Sequence, residues 1–413
     1  MKRFLHAAAA LSALAISFAL ASCATGPKAK EEKSDKKQNV PYVEQMKSKS
    51  AQEIVDDMRI GWNLGNTLDA WIDGQGGVES ETCWQQPKTT KEMFTGLKKA
   101  GFNAVRIPIT WHNHFIDDKL TVDPAWLARS KEVVDMAIGE GLYVIINIHH
   151  DTAPAEDFAD GRGYYPTEKA KEKSLRFVTR VWEQIAATFN NEYDEHLVFE
   201  LLNEPRLVGH EREWWYDPNH PDCAMSQKVV NELEAACINV IRKSGGANAQ
   251  RFIMLPGYVA QPWAAMADTF TLPADSSEGR LIISVHMYDP WSFAGDNHGE
   301  LVFTDSAKAE QKNTFEALNR HFVKKGVPVI IGECGATNKN NLEAREDWYR
   351  YYFETSKKNG LTAFIWDNGS YEVGEDGNFS EHFGFYNRTS QTFYFPTLLQ
   401  AALDGVTAGE KAE

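Results

Sequence analysis

Positive charge is in short supply in this chain. Lys and Arg together number 43 against 58 Asp and Glu, a formal net charge of −15. Polyanions are held by basic patches, so nucleic acid is excluded as a partner and an anionic polymer such as pectin is disfavoured, whereas a neutral ligand meets no electrostatic barrier. Cysteine is sparse, at 5 residues in 413, and no two are spaced as a CxxC pair, so that metal signature is absent. A phosphate-binding glycine turn is also missing. Gly74-Gln75-Gly76-Gly77 has the wrong spacing and no helix cap behind it, and reads as a flexible loop. Aromatic residues are the opposite case. There are 12 Trp, most of them expected to fill core and a few to offer flat apolar faces in a cleft.

The amino terminus reads as an export signal. Lys2-Arg3 form a basic start, and Ala7 to Ser22 an apolar stretch shorter than the ~20 residues a spanning helix needs. It ends in Leu20-Ala21-Ser22-Cys23, which resembles the bacterial lipobox, so residues 1–22 are expected to be removed and Cys23 to carry a lipid that anchors the protein to a membrane. An ordinary secretory signal cut near Ala19-Leu20-Ala21 is the alternative. The expected location is the bacterial cell envelope, on the periplasmic or cell-surface side, or otherwise the medium. Residues 23–48, nearly devoid of apolar side chains, read as a disordered tether. Cys83, Cys223, Cys237 and Cys334 remain. Export permits disulfides, and four cysteines allow three pairings, but Cys237 on an apolar helix face and Cys334 at a strand end read as buried free thiols.

With 43% hydrophobic residues the chain can bury a large core. From Ile60 onward, short apolar runs alternate with amphipathic stretches. The runs are 60–66, 104–108, 142–149, 197–202, 252–255, 281–286, 329–333 and 361–366. Thr89 with Glu92 predicts a capping box and a helix reaching Gly101. Asp123-Pro124 predicts an N-cap and first-turn proline. Further helices are predicted around 175–189, 229–241, 315–322 and 348–352. Unbroken apolar strands separated by helices predict a single-domain (β/α)8 barrel over 49–405, with a frayed tail at 406–413. An open doubly wound sheet is the rival, and it would want the missing glycine turn.

Such barrels carry their chemistry where the strands end. Read in order, those ends hold Asn66, Arg106, His149, Asn203-Glu204, His286 with Tyr288, Glu333, and Trp366. A carboxylate at the tip of a buried strand is costly unless it has a use. Two of them facing each other across a barrel mouth meet the requirement for breaking a glycosidic bond. One must be protonated to help the leaving oxygen depart and the other ionised to attack, so their surroundings must push their pKa values apart. Arg106 and Tyr288 suit the ionised partner, Asn203 suits a sugar hydroxyl, and Trp366 suits the floor under a ring.

Gly61-Trp62-Asn63-Leu64-Gly65-Asn66-Thr67-Leu68-Asp69-Ala70-Trp71, Arg106-Ile107-Pro108, Ile148-His149-His150, Asn203-Glu204-Pro205, His286-Met287-Tyr288 and Gly332-Glu333 together resemble glycoside hydrolase family five. The first motif is similar to its subfamily four of endoglucanases and xyloglucanases. The resemblance covers nearly all of the chain beyond the tether. It implies a retaining mechanism with Glu204 as acid/base and Glu333 as nucleophile. It also implies that Asn66, Arg106, His149, Asn203, His286, Tyr288 and Trp366 bind the reacting sugar. One departure is Cys334, where family members often carry an aromatic after the nucleophile.

Trp71 and Trp214-Trp215-Tyr216 fall in loops, where they serve either as outer sugar platforms or as loop packing. His112 with His114, and His149-His150-Asp151, give only a faint metal pattern, so no metal or other cofactor is expected. The expected partner is a polysaccharide of the β-1,4-glucan type: cellulose, mixed-linkage glucan or xyloglucan. The alternatives are mannan or xylan as substrate, a glycan-binding lipoprotein without catalysis, and a metal-dependent hydrolase. The sequence carries no sign of an oligomeric state.

Overall fold

Eight parallel strands close into a barrel in which each strand pairs with its sequence neighbour and β8 returns to β1. They are β1 Gly61–Asn63, β2 Ala104–Ile107, β3 Tyr143–Asn147, β4 Leu197–Glu200, β5 Ile253–Pro256, β6 Leu281–His286, β7 Val329–Cys334 and β8 Thr362–Ile365. The structure, a computed structural model, describes residues 42–158, 163–373 and 381–411. All of these belong to the unit Val40–Glu413. The signal segment, Cys23 and most of the expected tether lie outside the described residues.

Around and between the strands run α1 Tyr42–Lys47, α2 Ala51–Met58, α3 Lys91–Lys99, α4 Pro124–Gly139, α5 Lys171–Thr188, α6 Pro221–Lys243, α7 Pro262–Ala265, α8 Trp291–Ala294, α9 Asp305–His321, α10 Leu342–Lys358 and α11 Pro396–Glu410. The period of two in each strand sorts the core into two layers. Val105, Val144, Phe199, Ile283 and Ile331 face outward and pack with helix residues such as Leu97, Val133, Trp182 and Tyr352. Ala104, Ile145, Val198, Met254, Ile282, Ile330 and Phe364 fill the interior, where Ile54, Val55 and Met58 of α2 join them. Helix α2 therefore plugs the floor of the barrel. Its start is held by Ser50 and Glu53, whose side chains cap each other's backbone reciprocally.

The interior leaves no room at Gly61. A Cβ there would stand 2.1 Å from Cδ1 of Phe364, and that ring is itself fully buried in the interior cluster. Gly61→Ala is expected to cost about 3 kcal/mol, the upper range for overpacking, read as a lowered urea midpoint. A shift within ~0.5 kcal/mol would show that Phe364 can move aside.

Several boundaries differ from expectation. The Thr90 backbone, not Thr89, occupies the N-cap of α3 and makes no side-chain cap, while the Thr89 amide donates to Glu81 Oε1 at 2.7 Å. Helix α6 starts eight residues before the expected 229, because His220 caps it and Pro221 supplies its first turn. The folded unit also extends past both expected ends. Helix α1 falls inside the segment read as a disordered tether, and its Met46 is fully buried. Helix α11 continues into the supposed frayed tail as far as Glu410, with Val406 fully buried and Glu410 paired to Arg59 at 2.7 Å. Gly405 and Gly409, which look like helix breakers, are instead where α11 presses on α10. Cβ atoms there would meet the carbonyl oxygens of Arg350 and Glu354 at 2.3 and 2.7 Å. Among the described residues, no helix is long and apolar enough to cross a membrane.

Candidate active site

Above the apolar interior layer the inward positions turn polar, and Arg106 is their hub. It follows inward-facing Ala104 by two residues, so it faces inward too. The guanidinium is fully buried, which alone would push its pKa down, but the charges of Glu200 and Glu333 more than reverse this and keep it a cation. Nε donates to Glu200 Oε2 at 2.7 Å, Nη1 to Glu333 Oε1 at 2.7 Å and to Asn63 Oδ1 at 3.0 Å, and Nη2 to Asn203 Oδ1 at 2.7 Å. One arginine thus draws together residues from β1, β4 and β7 and the end of β4.

Glu333 reaches this network through an irregularity in β7. Val285 pairs with Ile331, but the next residue of β6, His286, pairs with Glu333. Regular alternation after inward Ile330 and Gly332 would send Glu333 outward. The extra residue returns it to the barrel mouth. Gly332 permits this, since a Cβ there would stand 3.2 Å from His286 Nε2 and 3.3 Å from Glu200 Oε1. Its second oxygen, Oε2, accepts from the Tyr288 hydroxyl at 3.0 Å. Burial and the charge of Glu333 hold that phenol far from ionising, so it remains a donor.

Glu204 stands opposite. Its Oε1 lies 2.8 Å from His286 Nδ1, and the same nitrogen is 3.5 Å from Glu333 Oε2. One oxygen of each glutamate and a nitrogen of His286 all lie within 4.8 Å of one another. Burial pushes the Glu204 carboxyl up, but the hydrogen bond and charge of His286, with Arg206 and His150, bring it net down. His286 moves the other way. Burial lowers it, and the charge of Glu333 with the bond to Glu204 raises it overall. The pair shares a proton, and its titration belongs to both residues.

His149 is neutral by construction. Asn147 Oδ1 accepts from the Ile109 amide at 3.1 Å and its Nδ2 donates to Glu200 Oε2 at 2.8 Å. That orientation turns Nδ2 toward His149 Nδ1 at 3.0 Å, so Nδ1 accepts and the proton sits on Nε2. Burial, then the charges of His150 and Arg106, hold its pKa well down. The ring stacks parallel to Trp366, centroids 6.0 Å apart. Trp366 is anchored by its amide donating to the Cys334 carbonyl at 2.8 Å, and a Cβ on Gly65 would touch its ring at 2.9 Å.

Of the residues singled out from sequence, Arg106, His149, Asn203, Glu204, His286, Tyr288, Glu333 and Trp366 come together. Asn66 does not join their hydrogen bonds. It sits on the turn after β1 in the left-handed region (φ 56°), with its amide donating to Asp69 Oδ2 at 3.0 Å. Sequence reading missed Glu200, fully buried, which accepts from Arg106, Asn147 and, at 2.6 Å, Ser284. The signal was present: a carboxylate in the middle of an apolar run is as costly as one at its tip.

The aromatic loop cluster divides. Trp214 and Trp215 are 57% and 62% exposed, whereas Tyr216 is buried against Tyr258. Trp71 is half-buried, edge-on to His112. His114 stacks on Trp126 at 3.8 Å, and burial lowers it to about 3. His112 sits 3.2 Å from Asp151 Oδ1. All four cysteines beyond Cys23 are free thiols, with Cys237 and Cys334 buried as expected. Among the described residues, four clusters have the residue types of a metal site, but their donors are engaged; in one, Asp194 Oδ1 accepts from the His196 amide and lies 3.0 Å from its Nδ1. His149 accepts from Asn147. His210 and His220 accept backbone amides of Arg212 and Asp222 through Nδ1. A cation among Glu204, His286 and Glu333 would have to share the space with the Arg106 guanidinium.

Residues 71–372 match the family described as cellulase (glycosyl hydrolase family 5). Endoglucanase 1 of Ruminococcus albus is 41% identical over 85% of this chain and 80% of its own length. A GH5 lichenase variant from Caldicellulosiruptor sp. F32, solved in complex with cellotetraose, aligns with a TM-score of 0.81 at 37% identity, over 87% of this chain and 96% of that one. A GH5-4 broad-specificity endoglucanase from Ruminococcus champanellensis with bound cellotriose gives 0.79 at 36% identity, over 87% and 99%.

Proposed function

The chain belongs to glycosyl hydrolase family 5, and from that premise we propose that it is an endo-acting glucanase that cuts β-1,4-linked glucans with retention of configuration. The observation that carries the mechanism is the spacing of the carboxylates. One oxygen of Glu204 and one of Glu333 lie within 4.8 Å of each other, which accords with direct attack, where the carboxyl groups stand ~5–5.5 Å apart, rather than with the ~6.5–9.5 Å that admits a water in an inverting enzyme.

In this reading Glu333 attacks the anomeric carbon as the glycosidic C–O bond breaks, and Glu204 gives its proton to the leaving oxygen. Water then attacks the glycosyl ester and loses a proton to Glu204, and the Glu333 carboxylate is released. Arg106 and Tyr288 each hold one Glu333 oxygen, which fixes its aim. The proton shared by Glu204 and His286 is the one delivered. When a glycan displaces water, a neutral acid beside a neutral imidazole is favoured over a buried ion pair, and the proton moves onto Glu204. Asn203 gives its carbonyl oxygen to Arg106 and so turns its amide hydrogens to a sugar hydroxyl. Trp366 and His149 form the floor, and Asn66 lies farther along the same rim.

The substrates proposed are cellulose, mixed-linkage β-glucan and xyloglucan. They accord with the net negative charge and with the cellotetraose and cellotriose held by the two related structures. Initial rates on carboxymethyl cellulose, barley β-glucan, xyloglucan, mannan and xylan, beside Glu204→Gln, test this. Activity on the glucans is expected, lowered ~10²–10⁴-fold in the variant. Preference for mannan or xylan would reassign the substrate. A folded protein inactive on all five would favour glycan binding without catalysis.

The amino-terminal sequence supports a second, separate proposal: lipidation at Cys23 and a place in the bacterial cell envelope. Partition of the full chain into detergent, lost in Cys23→Ala, is expected. Equal partition of both forms would favour secretion.

A further inference from the structure

The loop after β4 carries an arginine that the chemistry above leaves unused. Arg206 lies two residues beyond Glu204. Its Nη1 donates to the Glu204 carbonyl oxygen at 3.1 Å and stands 3.8 Å from the carboxylate Oε2, the oxygen not taken by His286. Its Nε donates to Glu213 Oε1 at 3.1 Å, and Glu213 Oε2 accepts from the Gly209 amide at 2.8 Å, which closes the loop on itself. The guanidinium lies 4.0 Å from the ring centroid of Trp214. That indole is 57% exposed, so one face is backed by the cation and the rest is open. Gln261 ties the loop down, donating to the Trp214 carbonyl at 3.0 Å and accepting from the Tyr216 amide at 3.0 Å.

An indole held flat by a guanidinium is a stacking surface for a sugar ring. It lies on the Glu204 side of the site, whereas Trp366 stacks with His149. The acid must adjoin the leaving oxygen, so Trp214 lies where the departing sugar sits. We propose that Arg206 is a positioning residue that acts through Glu204: it backs the Trp214 platform for the leaving sugar with one face and steers the second oxygen of the acid with its edge. Filling the leaving-group side and aiming the acid thus become one event. This rests on Glu204 being the acid, as proposed above.

Arg206 is not alone around that carboxyl. His286 faces it from β6, Glu333 from β7 and His150 from the end of β3, with Tyr288 and Glu381 also within electrostatic reach. Glu213 faces Arg206 itself and offsets part of its charge. The cation favours ionised Glu204. Removing it should keep the acid protonated to higher pH, whereas removing Glu213 should do the reverse.

The test compares cellotetraose, whose sugar leaving group needs the acid, with 2,4-dinitrophenyl cellobioside, whose leaving group does not. Arg206→Met is expected to lower kcat/KM about tenfold on cellotetraose and less than about twofold on the aryl glycoside. Its alkaline limb should move upward. Arg206→Lys should restore the limb, and Glu213→Gln should move it downward. Damage to the fold would slow both substrates alike and would not shift the limb in opposite directions. Should Arg206→Met fail to fold, Glu213→Gln carries the test. Equal losses on both substrates with unmoved limbs would overturn the proposal. Glu204→Gln is the control. If it spares kcat/KM on the aryl glycoside, which reports formation of the glycosyl ester alone, while the loop variants do not discriminate, this inference alone falls. If it lowers kcat/KM on both equally, Glu204 is not the acid and the mechanism above falls with it.

Discussion

Glu333→Gln is expected to lower kcat on barley β-glucan by ~10⁴-fold or more, with the fold intact, because it removes the nucleophile rather than a group that assists it. The amide keeps nearly the same shape and can still accept from Arg106, so thermal stability should change far less than rate. Glu333→Ala offers a second reading of the same role. It opens space for a small anion on the side from which the carboxylate attacks. Azide should therefore restore turnover of an activated aryl cellobioside and yield the α-glycosyl azide, the anomer expected from a single inverting displacement. A β-glycosyl azide would mean that the deleted group was the acid/base, and the roles of Glu204 and Glu333 would have to be exchanged. Wild-type rate in Glu333→Gln would remove the residue from the chemistry altogether.

Glu200→Gln should be the most damaging change in the barrel that touches no substrate. Glu200 is fully buried and accepts from Arg106, Asn147 and Ser284. An amide in its place turns one acceptor into a donor facing donors and leaves the Arg106 cation with Glu333 as its remaining charged partner. Breaking a buried ion pair by removing one member costs ~3–5 kcal/mol, read from urea unfolding. Activity should fall as well, by about 10²-fold, because an unbalanced guanidinium holds Glu333 more tightly and makes it a poorer nucleophile. Asn147 also loses the acceptor that orients it, and with it the tautomer of His149. A loss under ~1 kcal/mol with normal kcat would mean that Arg106 finds another counter-ion, and its role as the hub would have to be reassigned.

The two glutamates of most consequence were legible because each ends an apolar run, and polarity in such a place has few structural uses. Glu200 carried the same sign of cost inside its run, but only its meeting with Arg106 from another strand reveals its purpose. The Trp214-Trp215-Tyr216 cluster could not be divided by type, because three adjacent aromatics in a loop differ only in where the loop turns. Gly405 and Gly409 illustrate the converse. In sequence they look like an ending, yet they lie in a helix, because the nearness of α10 rewards a missing side chain more than helix propensity penalises it.

The sequence by itself determined the barrel class, the chemistry of its rim and nearly all the residues that meet there. Those facts follow from local information: the period of apolar residues, the sites of glycine and proline, and the presence of carboxylates where carboxylates are costly. Tertiary structure alone decided which of those residues share a hydrogen bond, how one cation serves two carboxylates, and that Glu333 faces inward at all. The last depends on one extra residue in β7 relative to β6. A register shift is set by the closure of eight strands on one another, and although Gly332 permits an irregularity there, it does not say which way the next side chain will point.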